Sequence, residues 1–221
     1  MQQAFKLNLL TPRLTDKPAQ SPASRAVLDP LDLYDPFDSL DLEELKSLDV
    51  KYHIEPGQEY VYCLHCVAWK QRYVASEAPK FFPCKAVNPI LIKRLWKGKT
   101  YKDIVYSLMP GYIFLFSAEP MDSGRFSNLD GTLRVLQYAG GGYALSERDE
   151  QLARWLLKYD GTLGLSKAIR VGDRTRIVQG PLKDHAGTIL EVNNHRRRAK
   201  LGIALNKAEW SVWMDFEFID S

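Results

Sequence analysis

The stretch Val171–Leu182, VGDRTRIVQGPL, with Gly187–Val192, GTILEV, decides the fold of the C-terminal part of the chain. Short strand-like stretches are separated there by turn signals such as Gly172-Asp173 and Gly180-Pro181. The same pattern continues to the C-terminus and predicts five strands, over 168–171, 174–179, 187–193, 199–204 and 211–216. Five short strands at this spacing predict a small antiparallel β barrel.

The region before the barrel mixes strands and helices. Tyr60–Val67 is rich in β-branched and aromatic residues and predicts a strand, and Trp69–Glu77 predicts a helix that Pro79 ends. An apolar and then basic stretch turns at Gly98 and leads to a strand over Tyr112–Ser117. Further elements are predicted as a helix over 123–130, a strand over 133–138, a glycine turn over 140–142 and an amphipathic helix over 146–158. We therefore expect an α+β domain, an antiparallel sheet flanked by helices.

Composition divides the chain into four segments. Residues 1–57 hold six prolines, and Val27–Val50 holds eight acids against the single base Lys46, so we expect an acidic, flexible and largely disordered arm. Apolar residues interleaved with those acids leave open whether the arm docks or stays a solvated tail. The α+β domain then covers 58–159, a glycine-containing linker 160–166, and the barrel 167–221.

The composition excludes several classes of protein. The chain has 221 residues, of which 45% are hydrophobic and 26% charged, which excludes a collagen-like or wholly disordered chain. Apolar runs such as Tyr112–Phe116 are far shorter than the roughly 20 residues of a membrane span. The N-terminus lacks the pattern of a secretory signal, and three cysteines make no disulfide framework. We therefore expect a cytoplasmic monomer with reduced thiols and no membrane partner.

Cys63 and Cys66 form a C-x-x-C, which raises the questions of a redox dithiol and of half a zinc site. On a strand this spacing sends the two side chains to opposite faces, and the other ligands available are Cys84 with His53 or His65. Structural thiols are the favoured interpretation. The sequence holds no nucleophile elbow and no P-loop, and its histidines are scattered, so we expect neither an enzyme nor a metal or cofactor site.

Positive charge is concentrated in two places. Residues 85–102 hold six bases and no acid, and residues 170–200 hold eight bases against three acids. The most specific feature is a basic run directly after the Asn193-Asn194 turn signal, His195-Arg196-Arg197-Arg198-Ala199-Lys200. Arginines on a hairpin tip can bind phosphates and base edges and can stack on unstacked bases. The alternative is a solvated charged hairpin. The predicted RNA-binding residues are Arg174, Arg176, Lys183, His195, Arg196, Arg197, Arg198 and Lys200, gathered on one barrel face.

The residues Val171–Leu182 and Gly187–Val192 of the barrel resemble a KOW motif. The region before it resembles the N-terminal domain of NusG-family transcription factors, through the Tyr62–Val67 strand leading into a helix, Met109-Pro110-Gly111-Tyr112-Ile113-Phe114, and Gly140–Ser146. The resemblance covers 59–221 and implies an SH3-like KOW barrel after a polymerase-binding domain. The basic run and Gly180-Pro181-Leu182 are similar to specialised antiterminators such as LoaP.

The resemblance implies binding to the clamp helices of RNA polymerase and a steric mechanism that favours processive elongation. The implied contact residues are His65, Tyr112, Phe114 and Val135, and the basic tip Lys93, Arg94, Lys97 and Lys99 would contact upstream DNA of the transcription bubble. Independently of the family, Tyr112 and Phe114 share one face of a strand, as an aromatic platform requires. The alternative for both is a core position.

The leading hypothesis is therefore a transcription elongation or antitermination factor whose barrel binds a nascent RNA hairpin. The first alternative is a factor that couples transcription to translation, with the barrel on a ribosomal protein. The second is a ribosome-associated protein that binds ribosomal RNA, and the third is a thiol oxidoreductase centred on Cys63 and Cys66.

Overall fold

The computed structural model describes residues 54–97, 99–138, 141–145, 147–184 and 188–219. The predicted arm lies outside these residues except for its last four positions. No helix among the described residues is long and apolar enough to cross a membrane. The strands are β1 (Tyr60–Cys66), β2 (Lys85–Val87), β3 (Ile90–Lys97), β4 (Thr100–Ser107), β5 (Tyr112–Ser117), β6 (Thr132–Val135), β7 (Thr162–Leu163), β8 (Ser166–Val171), β9 (Arg174–Gln179), β10 (Thr188–Asn193), β11 (Arg198–Leu205) and β12 (Ala208–Phe218).

The first sheet has the order β2-β5-β1-β6, and its pairings are antiparallel. Its central strand β1 is almost wholly buried because both faces of the sheet are covered. Val61 and Cys63 face one hydrophobic core, while Tyr62 and Leu64 face another. This explains why the strand reads as a continuous apolar run.

A helix covers each face of this sheet. Helix α1 (Gln71–Phe81) places Val74 and Ala78 in the core that holds Leu64, and helix α2 (Glu147–Lys158) places Trp155 in the other. The amphipathic pattern of α2 is confirmed, while its predicted capping residue Ser146 lies outside the described residues. The prediction that Pro79 ends α1 is wrong. A proline in the last turn removes only its own N–H bond, and the helix continues to Phe81.

Two predicted elements before α2 differ from the structure. The helix predicted over 123–130 is a 3-10 helix over Ser123–Phe126, which the Asp122 carboxylate caps by accepting the N–H of Gly124 at 3.0 Å. Glycine and short polar residues favour such a turn over a longer helix. The strand predicted over 133–138 ends at Val135, and just beyond it the N–H of Leu136 donates to the carbonyl oxygen of Cys63 at 2.8 Å.

Strands β3 and β4 form a hairpin in which Ile90 pairs with Ser107 and Lys97 with Thr100. The sequence predicts the basic tip but not β4. All but one of the residues of β4 are exposed, so no alternation of apolar and polar residues marks the strand. Strand β7, inside the predicted linker, pairs in parallel with the base of β3. The linker residue Leu163 is fully buried, so this connection is packed into the molecule.

The five strands predicted for the C-terminal domain are confirmed and have the order β10-β11-β12-β8-β9. The expectation of a wholly antiparallel barrel is wrong in one pairing, since β8 and β12 are parallel, with Ser166 opposite Phe216. The first and fifth strands of an up-and-down set point the same way and can only pair in parallel.

The barrel packs against the first domain on the side of α2. Apolar barrel residues such as Leu182 and Leu201 lie in the same hydrophobic core as Trp155 and Leu156 of α2. Polar contacts surround this core, including the N–H of Asn206, which donates to the carboxylate of Asp149 at 3.0 Å. The two parts therefore share an interface with buried apolar and polar contacts.

Candidate functional site

The imidazole of His65 stacks on the ring of Tyr112 at the end of the first sheet. The ring centroids are 4.9 Å apart at an interplanar angle of 22°, and both side chains are partly exposed. Burial lowers the pKa of His65, and the neighbouring Arg134 lowers it further, so the imidazole is neutral at pH 7. The stack is an uncharged aromatic surface with a guanidinium beside it, a combination common at protein interfaces.

The position of Tyr112 is held from behind by Gln71, the first residue of α1. The Gln71 side chain is buried, and its amide nitrogen donates to the carbonyl oxygens of Tyr112 at 2.7 Å and Met109 at 3.2 Å. Its amide oxygen accepts the N–H of Gly111 and the hydroxyl of Ser107, both at 3.0 Å. Gly111 has φ 85°, and a Cβ atom there would lie 2.8 Å from the carbonyl oxygen of Cys66. This rigid turn explains the Pro-Gly pair before β5. No pattern in the sequence had marked Gln71 as a residue of the site.

The other two predicted contact residues lie elsewhere. Phe114 shares the face of Tyr112, as expected, but it lies in the core that also holds Trp155 of α2, and its exposed fraction is 0%. Val135 pairs with Leu64, is nearly buried and belongs to the core under α1 on the opposite face of the sheet. Neither side chain can reach a partner in this structure, so the expectation of a Tyr112–Phe114 platform is corrected to the His65–Tyr112 stack.

Two exposed aromatic residues at the same end of the sheet were not singled out from the sequence. Trp69 follows β1 in a 3-10 turn and is 80% exposed, and Tyr73 lies four residues further on at 49%. The ammonium group of Lys70 lies 4.9 Å from the centroid of Trp69 and 2.6 Å from the carboxylate of Asp130. Exposed aromatic side chains that form a contiguous patch, and not single ones, mark interaction sites.

The four basic residues predicted at the hairpin tip divide into two pairs. Lys97 and Lys99 are exposed at the tip. Arg94 and Lys93 lie beside the barrel, where the backbone N–H of Arg94 donates to the carboxylate of Asp215 at 2.9 Å. Burial lowers the pKa of Lys93, whose ammonium lies 5.5 Å from the ring of Tyr106. Only the outer pair extends away from the molecule.

The basic run of the barrel begins on the predicted turn between β10 and β11. The Asn193 side chain accepts the N–H of Arg196 at 2.7 Å, and Arg197 has φ 53°, so the turn is tight and presents consecutive cations. Arg198 and Lys200 lie further along β11, at 4.5 Å and 5.8 Å from the ring of Trp213. The run therefore covers both the tip and one outer face of the barrel.

The remaining predicted RNA-binding residues do not all join this surface. Arg174 and Arg176 are exposed on β9, which the hydroxyl of Thr175 links to Asn194 of the turn at 2.7 Å. Lys183 lies past the opposite end of β9, next to Asp184, whose carboxylate contacts α2. The expectation that Lys183 shares the face of the others is wrong. The tip lies near the start of β9, whereas Lys183 lies past its end, so the full length of the strand is between them.

The cysteines have the character of structural thiols. Cys63 and Cys66 are buried on opposite faces of β1, and all three cysteines are free. Burial raises the pKa of Cys66 and of Cys84 to about 11, and raises that of Cys63 further. Thiols with such pKa values are poor nucleophiles at pH 7. Within the described part of the chain, no three His, Cys, Asp or Glu residues are grouped closely enough to hold a metal ion.

Comparison with known proteins finds a protein of similar sequence. No family model matches the chain. The transcription termination/antitermination protein NusG of Thermus thermophilus is 29% identical over 134 residues, which are 57% of this chain and 73% of that protein. Over these residues the chain is similar to this NusG.

A solved structure of a second NusG, which describes the domain interaction in the Thermotoga maritima protein, covers 71% of this chain and 93% of its own, at 19% identity and a TM-score of 0.40. In this chain the His65–Tyr112 stack lies at the end of the first sheet, and the basic turn lies on the barrel.

Proposed function

We propose that this protein is a transcription elongation and antitermination factor of the NusG kind. Its first domain binds the clamp helices of RNA polymerase, and its barrel binds nascent RNA, with a hairpin as the expected target. Bound in this way, the first domain bridges the polymerase cleft and favours processive transcription by steric means. The basic turn supports a likeness to specialised antiterminators of the LoaP kind.

The His65–Tyr112 stack carries the polymerase part of the proposal. The stack is neutral and partly exposed, and the buried Gln71 side chain holds the backbone of Tyr112 in place. Because the rings are already ordered, little conformational entropy is lost when a partner binds. Trp69 and Tyr73 extend the aromatic surface at the same end of the sheet. Aromatic anchors on a rigid support are the usual centre of a protein interface.

The nucleic-acid part is supported by the placement of the cations. Lys97 and Lys99 are exposed at the end of a two-stranded ribbon, which suits contacts to upstream DNA phosphates without reading of sequence. Arg196 and Arg197 lie on a tight turn, where planar guanidinium groups can meet base edges as well as phosphates.

A transcription assay tests the whole proposal. Purified polymerase on a template with an intrinsic terminator preceded by an RNA hairpin is expected to read through more often when the protein is added. Arg197→Lys keeps the charge and loses the guanidinium fork, and it is expected to reduce discrimination between that hairpin and a scrambled one more than total RNA affinity. No effect on elongation or termination at saturating protein would contradict the proposal.

A second candidate function rests on two exposed apolar barrel residues. Leu190 lies over Gly202 on the outside of the barrel, and Leu190 and Val171 are each 55% exposed. Such residues suit a protein partner, so the alternative is a barrel that binds a ribosomal protein and couples transcription to translation. Binding of isolated ribosomal subunits that Leu190→Ser abolishes, with RNA binding unchanged, would favour this alternative.

A further inference from the structure

A groove of about 530 Å³ lies between the β3–β4 hairpin and the barrel. Arg94 and Tyr101 line it from the hairpin, and Arg197, Asp215, Glu217 and Phe218 line it from the barrel. Ligand pockets have volumes of about 300 to 1,000 Å³. Neither the hairpin nor the basic turn forms this space alone.

The groove is held open by contacts between its walls. The carboxylate of Asp215 accepts the backbone N–H of Arg94 at 2.9 Å, on the edge of β3. The guanidinium of Arg94 lies 3.1 Å from the carboxylate of Asp103 and 3.6 Å from that of Glu217. Burial raises the pKa of Asp215, against the opposing effect of the Arg94 N–H and the nearby cations. These contacts join the hairpin and barrel walls of the groove to each other.

The aromatic rings of the groove are paired with arginines. The guanidinium of Arg94 lies 5.7 Å from the centroid of Tyr101, which is 58% exposed. The ring of Phe218 lies 4.7 Å from the guanidinium of Arg170 and 6.0 Å from that of Arg197. Aromatic rings and guanidinium planes are the surfaces on which unstacked bases of single-stranded nucleic acids stack.

The carboxylates distinguish this groove from a plain phosphate site. Asp215 and Glu217 would repel phosphate oxygens, but their oxygens accept hydrogen bonds from N–H groups of a base. The side chain of Glu217 is 40% exposed and keeps only a long contact with Arg94. Guanine offers two adjacent donors, N1–H and the N2 amino group, which match the two oxygens of one carboxylate. Uracil and adenine offer one donor position each, and cytosine only its amino group.

We infer that this groove binds one unstacked guanine nucleotide of single-stranded RNA. The base stacks against Tyr101 or Phe218, Glu217 accepts from its Watson–Crick edge, and Arg197 meets a flanking phosphate. This assignment rests on the proposed binding of nascent RNA by the protein, and it specifies one nucleotide contact in that interaction. It also makes the hairpin and the barrel two halves of one site.

Fluorescence anisotropy with the full chain tests the inference. The probes are short oligouridines with a single central guanosine, adenosine or cytidine, the unsubstituted oligouridine, and the deoxy version of the guanine probe. The guanine RNA is expected to bind about tenfold more tightly than the other RNAs. Glu217→Gln, which replaces one acceptor oxygen by a donor, is expected to remove this preference while binding to oligouridine persists.

Two variants serve as controls. Glu191→Gln changes an exposed carboxylate beside Lys200, outside the groove lining, and is expected to keep the preference for guanine. Tyr101→Leu removes an exposed ring at little risk to folding and is expected to weaken binding of every RNA probe severalfold. Thermal melting of each variant checks that the fold is retained.

The outcomes separate this inference from the proposed function. Equal affinity for all RNA probes, falling together with salt, overturns the guanine site and leaves RNA binding in place. No binding of any RNA at low salt overturns the site and also the RNA part of the proposed function, whereas the polymerase part is tested separately. An affinity for the deoxy guanine probe equal to that for the guanine RNA would show that the groove does not distinguish RNA from DNA, and it would overturn the assignment to RNA.

Discussion

The indole N–H of Trp155 donates a hydrogen bond to the carbonyl oxygen of Pro181 at 3.1 Å, and this bond joins helix α2 of the first domain to the barrel. Trp155 has an exposed fraction of 0%, and Pro181 is buried as well. A buried donor and acceptor that satisfy each other fix the distance and orientation of the elements that carry them. This bond therefore fixes how helix α2 and the barrel are placed relative to each other.

Trp155→Phe is expected to lower the free energy of unfolding by about 2 kcal/mol, because it leaves the Pro181 carbonyl oxygen buried without its donor and leaves a gap beside the smaller ring. Denaturant unfolding followed by far-UV circular dichroism measures this. Trp69→Phe, at an exposed position, is the matched control and should change stability by less than about 0.5 kcal/mol. An equal loss for both variants would show that the bond to Pro181 contributes nothing specific.

The carboxylate of Asp184 predicts how stability depends on pH. Burial alone would raise its pKa, but hydrogen bonds from Lys158 at 2.7 Å and Tyr159 at 2.6 Å outweigh burial and hold the pKa below its usual value. A depressed carboxyl pKa contributes stability above the unfolded value, and this contribution is lost as the pH falls through the folded value.

We therefore expect the melting temperature to fall between about pH 5 and pH 3, and Asp184→Asn to fall less over the same range. The measurement is thermal melting of both proteins across this range. Parallel pH curves would mean that Asp184 is not responsible for the acid sensitivity.

The His65–Tyr112 stack predicts a separation between binding and stability. The double variant His65→Ala and Tyr112→Ala is expected to weaken polymerase binding by about 2 kcal/mol or more while the protein stays folded. Phe114→Ala, two residues along the same strand face, is expected to cost about 3 to 5 kcal/mol of stability because its ring is fully buried. Polymerase pull-down and thermal melting of both variants decide this. A folded double variant with unchanged polymerase affinity would remove the stack from the interface.

The hairpin tip predicts an electrostatic contribution that salt screens. Charge reversal of Lys97 and Lys99 is expected to weaken binding of the polymerase complex on a nucleic-acid scaffold at low salt, with a smaller difference at high salt. The comparison variant reverses Arg72 and Lys80, which are exposed on α1 and outside the hairpin. If both pairs of changes have the same effect, the tip makes no particular contact with DNA.

Much of the fold was predictable because its signals are local. The five barrel strands follow from short strand-like stretches and from the turn signals between them, and both features arise within a few residues of one another. Helix α2 was predictable from its amphipathic spacing. Strand β4 was missed because its residues are exposed, so it exists through its pairing with β3 and not through a pattern of its own.

The candidate site was predictable only in part. The sequence placed Tyr112 and Phe114 on one strand face, but it could not indicate that tertiary packing buries the ring of Phe114 and leaves that of Tyr112 partly exposed. It marked Arg94 and Arg197 as cations of separate surfaces, and the packing of the hairpin against the barrel brings both to one groove.

The sequence by itself determined which residues form strands, turns and amphipathic helices, and where positive charge accumulates, because these properties depend on neighbours along the chain. Only the tertiary structure decided which of these residues are exposed and which come together across the two domains. Burial and proximity depend on elements far apart in the chain, as in the bond between Trp155 and Pro181, and no local pattern records them.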